Sequence, residues 1–495
     1  MNYAKLQNGS DVRGVALAGV EGESVTLDDG AVRAIAGGFV RFLHQKLGKT
    51  ALRVSVGRDS RLSGEAISAA LCETLAACGV AVTDLGLCTT PAMFMTTVTG
   101  EHPFDASVMI TASHLPWNRN GLKFFTAEGG AESADVREIL RLAEEDAPLA
   151  PGGSIEKGEF METYAAILRG KIIAAAGSDK PLAGKHIVVD AGNGAGGFYA
   201  ERVLAPLGAD TTGSRYLDPD GHFPNHVPNP ELPEAMDSIR EAVLESHADF
   251  GIIFDTDVDR AGAVLSDGEE LNRNRLIALI SAILLREYPG TTIVTDSITS
   301  TGLAEFIAAH GGIHRRFRRG YRNVINEGLR LNASGQDCQL AIETSGHAAL
   351  KENYFLDDGA YLVTRFLMEL AAGRSLEELL AGLREPAESR EFRLKILEED
   401  FRSAGEKILS ELSDYVAEQP GWSMAPDNFE GVRVNLDKAH GNGWFLLRLS
   451  LHDPILPLNI ESDSTGGAQV IARQLAPFLA RQTAIDAKAA LEFAV

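Results

Sequence analysis

Cysteine is scarce. The four thiols, Cys72, Cys78, Cys88 and Cys338, are too few for a disulfide framework and lack the paired spacing of a zinc site. They read as reduced thiols of a cytoplasmic protein. Positive charge is also short, with 46 Lys and Arg against 69 Asp and Glu, a net charge of -23. Such a surface repels a phosphate backbone or an anionic membrane, so neither nucleic acid nor membrane is expected as a partner. No apolar run reaches the roughly 18 residues of a membrane span, and the opening MNYAKLQNGSDVRG lacks the apolar core of an export signal. What is present, 45% hydrophobic and 23% charged residues, is a globular composition that argues against disorder, collagen or coiled coil. At about 150 residues per domain, 495 residues divide into three or four domains.

Apolar runs that suit strands alternate with helical-period segments through the first three quarters of the chain, the signature of α/β layering. A first block, 1–150, has Ile35, Phe39, Phe42 and Leu43 at helical spacing, a strand near Leu52 to Val56, a helix from Gly64 to Cys78 and a strand from Ala106 to Thr111. The segment from Ala147 to Gly158, with Pro148, Pro151, Gly152 and Gly153, suits a linker after it. The second block, 151–270, ends on the strand Asp249 to Phe254, and the third, 271–388, has strands near Thr291 to Thr295 and Gln339 to Ile342. From 389 to 495 one strand, a long helix, three strands and a final helix read as α+β. The expected fold is therefore three similar α/β domains with mixed sheets and a C-terminal α+β domain.

Ligands of open α/β sheets sit beyond the carboxyl ends of strands, so the polar loops there carry the chemistry. The strand ending at Thr111 runs into TASHLPWNRNGLK, where Ser113 beside His114, with Lys123 ten residues on, suits a nucleophile that handles an anion. No G-x-S-x-G elbow is present, which weighs against acyl transfer. Asp255, Asp257 and Asp259 in DTDVDR leave an apolar strand at i, i+2 and i+4, an all-oxygen set for a hard cation such as Mg2+ or Ca2+. An EF-hand is excluded, because Arg260 stands at its sixth position and Ser266 at its twelfth. Three adjacent carboxylates also need a counter-charge. In ETSGH, Glu343 and Ser345 can bond vicinal hydroxyls and His347 can exchange a proton near neutral pH. In RLSLHDP, Arg448 and Ser450 can grip a phosphate. Gly192, Gly194 and Gly197 match G-x-G-x-x-G but read better as a tight strand-to-helix turn than as a dinucleotide site. The run RRFRRGYR, Arg315 to Arg322, fits a small anionic ligand better than nucleic acid in so acidic a chain, and Arg315 and Arg316 fit a solvated surface equally well.

TASHLPWNRNGLK, DTDVDR, ETSGH and RLSLHDP, in that order, resemble the α-D-phosphohexomutases over nearly the whole chain, as do GSDVRG at Gly9 and GRDSR at Gly57. ETSGH followed by NYFLDDG is most similar to the bacterial phosphomannomutase/phosphoglucomutase branch. The resemblance implies four domains around a central cleft and an isomerase that interconverts hexose 1- and 6-phosphates, of glucose or mannose, with hexose 1,6-bisphosphate as intermediate and activator. By motif position Ser113 is the phosphoserine, and it joins Asp255, Asp257 and Asp259 around one Mg2+. His114, Lys123, Arg260 and His347 belong to the catalytic group, with Lys123 and His347 moving protons. Arg13, Arg322, Glu343, Ser345, Arg448 and Ser450 bind substrate. A monomer or weak dimer is expected. The chain departs from the family's phosphate loop, where Leu451, His452 and Asp453 replace Gly/Asn, Thr and Glu, and Arg322 stands where His or Lys is common. Two alternatives remain at this level: a metal-dependent sugar-phosphate phosphatase, or a sugar-phosphate binder with little turnover.

Overall fold

The computed structural model describes residues 2–145, 151–426, 428–450 and 453–495. Leu451 and His452, the departure in the phosphate loop, lie outside the described residues, as do residues 146–150 at the first boundary. Two compact units emerge, one of Met1–Leu276 with Ser345–Leu379 and one of Ile277–Thr344 with Leu380–Val495. Among the described residues no helix is long and apolar enough to cross a membrane.

Two sheets lie wholly within the first unit. In the larger one, Arg53–Arg58 lies parallel to Ala106–Ile110 on one side and to Ala81–Leu87 on the other. Arg119–Thr126 then runs antiparallel to Ala106–Ile110 and pairs with Asp11–Val15. The core beneath is the predicted helical stripe: Ile35, Phe39 and Leu43 on Asp29–Leu47 are fully buried beside Val54, Val56 and Val108. That helix starts on the Asp28 side chain, which accepts from the amide of Ala31, and stops at Gly48 in a left-handed conformation. The segment read as a linker is in part a strand. Ser154–Lys157 pairs in parallel with Ala81–Asp84, so the first sheet extends past the boundary placed at 150. Glycine and proline mask such an edge strand, because its pairing partner is more than 70 residues away.

The smaller sheet orders Ile187–Asp190, Phe250–Phe254, Ala261–Leu265 and Glu270–Leu271. Phe250–Phe254 is buried along its whole length, parallel to the first of these and antiparallel to Ala261–Leu265, as its unbroken apolar sequence requires. The third block, 271–388, is divided in its packing: Ser345–Leu379 joins the first unit. The helix Gly359–Ala371 is buried on nearly every side. Tyr164 donates its hydroxyl to Asp358 at 2.6 Å, and the hydroxyls of Tyr199 and Thr364 share a bond of 2.7 Å. The Gly359 amide donates to Val258 O at 3.1 Å, which brings this segment against the DTDVDR turn.

In the second unit, Ile313–Arg316, Thr292–Thr295 and Cys338–Ile342 are parallel. The C-terminal part is a six-stranded sheet, ordered Trp422–Met424, Val432–Leu436, Gly443–Leu447, Ile455–Ser462, Glu388–Ile396 and Ile485–Asp486. All its pairings are antiparallel, and helices Phe401–Ala417 and Gly467–Leu479 cover its apolar face, the expected α+β domain. Three arginines of the basic run are absorbed here by packing. Arg315 pairs with Glu327 at 3.1 Å and lies 4.1 Å from the Phe429 ring, Arg316 donates to Ser300 O, and Arg318 to Phe429 O.

Candidate functional site

Ala106–Ile110 ends at the first sheet's carboxyl edge, and the chain turns at once through Thr111 and Ala112 to Ser113. Ser113 has a φ of 50°, a left-handed conformation that costs an L-residue roughly 1–2 kcal/mol. Its hydroxyl donates to Asp255 Oδ2 at 2.9 Å, lies 3.3 Å from His114 Nδ1, and accepts from Arg260 Nη2 at 3.2 Å. The positive charge of Arg260, together with burial and Arg13, holds His114 down at about 2, so its ring is neutral.

Asp255, Asp257 and Asp259 occupy the reversal between Phe250–Phe254 and Ala261–Leu265. All three are buried, and they offer carboxylate oxygens within 4.8 Å of one another. The counter-charge comes from Lys123, which donates to Asp257 at 3.1 Å and to Asp259, and from Arg260, whose Nε lies 3.2 Å from Asp255. Burial pushes the Asp255 carboxyl well above the usual range, and the charges of Asp259 and Asp257 add to it. Burial also opposes ionisation of Asp259, but Lys123, His347 and Arg260 outweigh it and hold that carboxyl low. For Lys123, burial works against the charge while Asp257 and Asp259 raise its pKa well above the ordinary value, so it remains an ammonium. Asp257 Oδ1 and Asp259 Oδ1 are buried without a hydrogen-bond partner, which is costly for carboxylates. An all-oxygen set with orphaned acceptors beside a hydroxyl fits a hard divalent cation.

His347 reaches this cluster because Arg260 and His347 form an isolated antiparallel bridge. Its Nδ1 donates to Asp357 at 2.5 Å and lies 3.8 Å from Asp259. Burial alone would lower its pKa, but Asp357 and Asp259 carry it up to about 9, so the ring is cationic at neutral pH. The glycine motif serves the same loop. A methyl group on Gly194 would lie 2.7 Å from Thr256 O, and the neighbouring Ala195 amide donates to that oxygen at 2.8 Å. Gly194→Ala must therefore displace the acidic turn, and we expect a loss of about 1–3 kcal/mol in a denaturant titration.

Ser113, His114, Lys123, Asp255, Asp257, Asp259, Arg260 and His347 thus converge in the first unit. Arg13 stands beside them and donates to Thr111 O at 2.5 Å. Ser345 is in the same unit, with its Oγ buried and unbonded. In the second unit, Glu343 Oε1 accepts from the Gly320 amide at 2.6 Å, and Arg322 lies in the first turn of the helix Tyr321–Ala333. Arg448 is buried with Nη1 3.9 Å from Glu430, and Ser450 Oγ accepts from the Asp453 amide at 3.3 Å. Sequence reasoning missed Asp59, Arg61, Thr90, Thr111 and Asp357. Thr90 donates to Asp257 at 2.5 Å from a distant helix start, which no local pattern could reveal. Asp59 and Arg61 sit in the GRDSR string, and Asp357 in NYFLDDG, so their motifs were visible although their contacts were not.

Comparison with known proteins matches the order of these segments along the chain. Family models for the phosphoglucomutase/phosphomannomutase α/β/α domains I, II and III match residues 4–148, 162–268 and 272–386. A phosphomannomutase/phosphoglucomutase of Pseudomonas putida is 33% identical over 434 residues, covering 86% of this chain and 87% of that protein. A phosphoglucomutase of Neisseria gonorrhoeae is 29% identical, with 92% and 93% covered. A solved phosphoglucomutase/phosphomannomutase family protein of Burkholderia thailandensis superposes with a TM-score of 0.80 at 27% identity, covering 98% of this chain and 99% of the other. With its three α/β domains matched in sequence and one-third identity held over most of its length, the chain belongs to the phosphoglucomutase/phosphomannomutase family, the α-D-phosphohexomutases.

Proposed function

We infer that Ser113 is the phosphoryl carrier of a hexose-phosphate mutase, an intramolecular phosphotransferase that interconverts hexose 1- and 6-phosphates of glucose, mannose or both. The observation that carries this reading is the Ser113 hydroxyl hydrogen-bonded at 2.9 Å to a buried acidic trio, within reach of Arg260. Phosphoryl transfer requires in-line positioning and charge neutralisation more than covalent chemistry from the protein, and fixed cations supply the second. Asp255, Asp257, Asp259 and the Ser113 oxygen would hold Mg2+, which when bound neutralises charge on the transferring phosphoryl group.

The residues around Ser113 divide the remaining work. When the hydroxyl attacks a sugar phosphate, its proton can leave along the bond it already donates to Asp255 Oδ2 at 2.9 Å, a carboxyl that burial holds well above the usual range, while His114 at 3.3 Å, kept neutral mainly by the charge of Arg260, orients the oxygen. Cationic Lys123 and His347 stabilise developing negative charge and can return a proton to a departing sugar oxygen. Glu343 and Ser345 read sugar hydroxyls, and Arg322, Arg448 and Ser450 bind the substrate phosphate. Hexose 1,6-bisphosphate primes the serine.

A phosphatase would use the same trio but pass the group to water. Supplied with glucose 1-phosphate or mannose 1-phosphate and a trace of the bisphosphate, the protein is expected to form hexose 6-phosphate in a coupled dehydrogenase assay. Inorganic phosphate should stay below about one hundredth of product. Stoichiometric phosphate release would overturn the mutase reading.

A further inference from the structure

Ser113 is held from both sides of its own peptide unit. On one side, its amide donates to Thr111 Oγ1 at 2.8 Å, and that hydroxyl donates to Asp59 Oδ2 at 2.7 Å. On the other, the Ser113 carbonyl accepts from Arg61 Nη2. Asp59 and Arg61 then meet: Oδ2 lies 3.3 Å from the Arg61 Nε, and Oδ1 accepts from the Arg61 amide at 3.0 Å. The bonds form a closed ring that runs from Asp59 through Thr111, Ser113 and Arg61 back to Asp59.

Arg61 also fixes the loop beyond Ser113. Nη2 donates to Leu115 O at 2.7 Å, and Nη1 to Pro116 O at 2.8 Å and Arg119 O at 3.0 Å. Four main-chain carbonyls between residues 113 and 119 thus point at one guanidinium. Its side chain is fully buried, although solvent exposure is the rule for arginine. The segment that leads into the helix Pro233–Ser246 covers it, with the Phe223 ring 5.3 Å away and Gly221 so close that a methyl group there would lie 2.5 Å from Ser60 O. A left-handed serine persists only where its surroundings over-determine it, and such strain clusters at active sites.

We propose that Arg61 is the positioning residue of the nucleophile, clamping the 113–119 loop by its carbonyls so that the strained Ser113 presents its oxygen to the acidic trio, with Asp59 and Thr111 completing the clamp. Arg61 touches no reacting atom. The inference rests on the assignment of Ser113 as phosphoryl carrier. Arginine is required because its planar fork carries five donors, whereas a lysine ammonium has three at one point and cannot span carbonyls six residues apart.

Arg61→Lys keeps the buried charge and removes the fork, and Thr111→Val removes one hydroxyl at nearly constant shape. Four readouts apply to each variant: thermal unfolding, kcat and KM per phosphorylatable site with glucose 1-phosphate, serine phosphorylation by intact mass, and phosphoserine lifetime in buffer without sugar. A misplacement of about 1 Å can cost on the order of 100-fold in rate. Arg61→Lys should lower kcat by that factor with KM within threefold, and shorten the phosphoserine lifetime as water gains access. Thr111→Val should lower kcat about tenfold. A purely structural role would reduce the folded fraction or melting temperature and leave kcat per phosphorylatable site and phosphoserine lifetime unchanged, which would overturn the proposal. If Arg61→Lys does not fold, Thr111→Val decides alone: wild-type kcat and lifetime overturn the clamp, and the tenfold loss supports it. Ser113→Ala separates the two levels. Wild-type turnover in Ser113→Ala removes the carrier assignment itself, whereas a silent Ser113→Ala beside a fully active Arg61→Lys removes only the clamp.

Discussion

Ser113→Ala is expected to lower kcat by at least about 10⁴-fold, in line with the loss seen when a catalytic nucleophile is deleted from a working site. The substitution removes only an oxygen. That oxygen is the acceptor for Arg260 Nη2 and the donor to Asp255, and the variant should remain folded while losing the atom proposed to carry the group. Intact-mass measurement after incubation with hexose 1,6-bisphosphate provides the second reading: the wild-type chain should gain one phosphate and the variant none. A variant that still gained the phosphate, or still turned over at the wild-type rate, would move the carrier elsewhere in the chain.

Chelation of divalent metal should have the next largest effect. A bound cation contributes several kcal/mol to charge stabilisation in the transition state, so removal should lower the rate by about 10³-fold and Mg2+ should restore it. Stability gives an independent reading. Mg2+ at a hundred times its dissociation constant should add about 2.7 kcal/mol to the wild-type chain. Asp257→Asn should lose both responses, because Asp257 Oδ1 is one of the buried oxygens with no other partner. The variant keeps an acceptor for Thr90 and for Lys123, so its metal-free fold should resemble that of the wild type. A melting temperature in Asp257→Asn that rose with Mg2+ as in the wild type would show that the ion binds elsewhere.

The chemistry at strand ends was legible because it is local. DTDVDR follows an apolar strand and declares an oxygen-ligand set from its spacing alone, and TASH follows another. The sequence also called for a counter-charge to the three carboxylates, without identifying Lys123 and Arg260 from spacing alone as the groups that provide it. What was illegible depends on distant pairing. Ser154–Lys157 is exposed and flanked by glycines, and it is a strand only because Ala81–Asp84 offers it an edge. RRFRRGYR read as a run for a small anionic ligand, with a solvated surface fitting Arg315 and Arg316 equally well, yet Arg315, Arg316 and Arg318 are held by Glu327, Ser300 and Phe429, residues 12, 16 and 111 positions away. Arg61 is the sharpest case. Its partners are carbonyls, which carry no mark in a sequence.

The return of Ser345–Leu379 to the first unit bears on the order in which the molecule can be assembled. Chains emerge from the ribosome at roughly 5–20 residues per second and domains tend to fold as they appear. The polypeptide carrying Ser113 and the acidic turn must here wait until residue 379 has been made before its own interior is complete, with 68 residues of the other unit, Ile277–Thr344, synthesised in between. Until then Tyr164 and Tyr199 lack Asp358 and Thr364. A nascent chain halted at Leu276 therefore holds Ser113 and the carboxylates but not His347, and expression of that fragment should yield an aggregation-prone, inactive product.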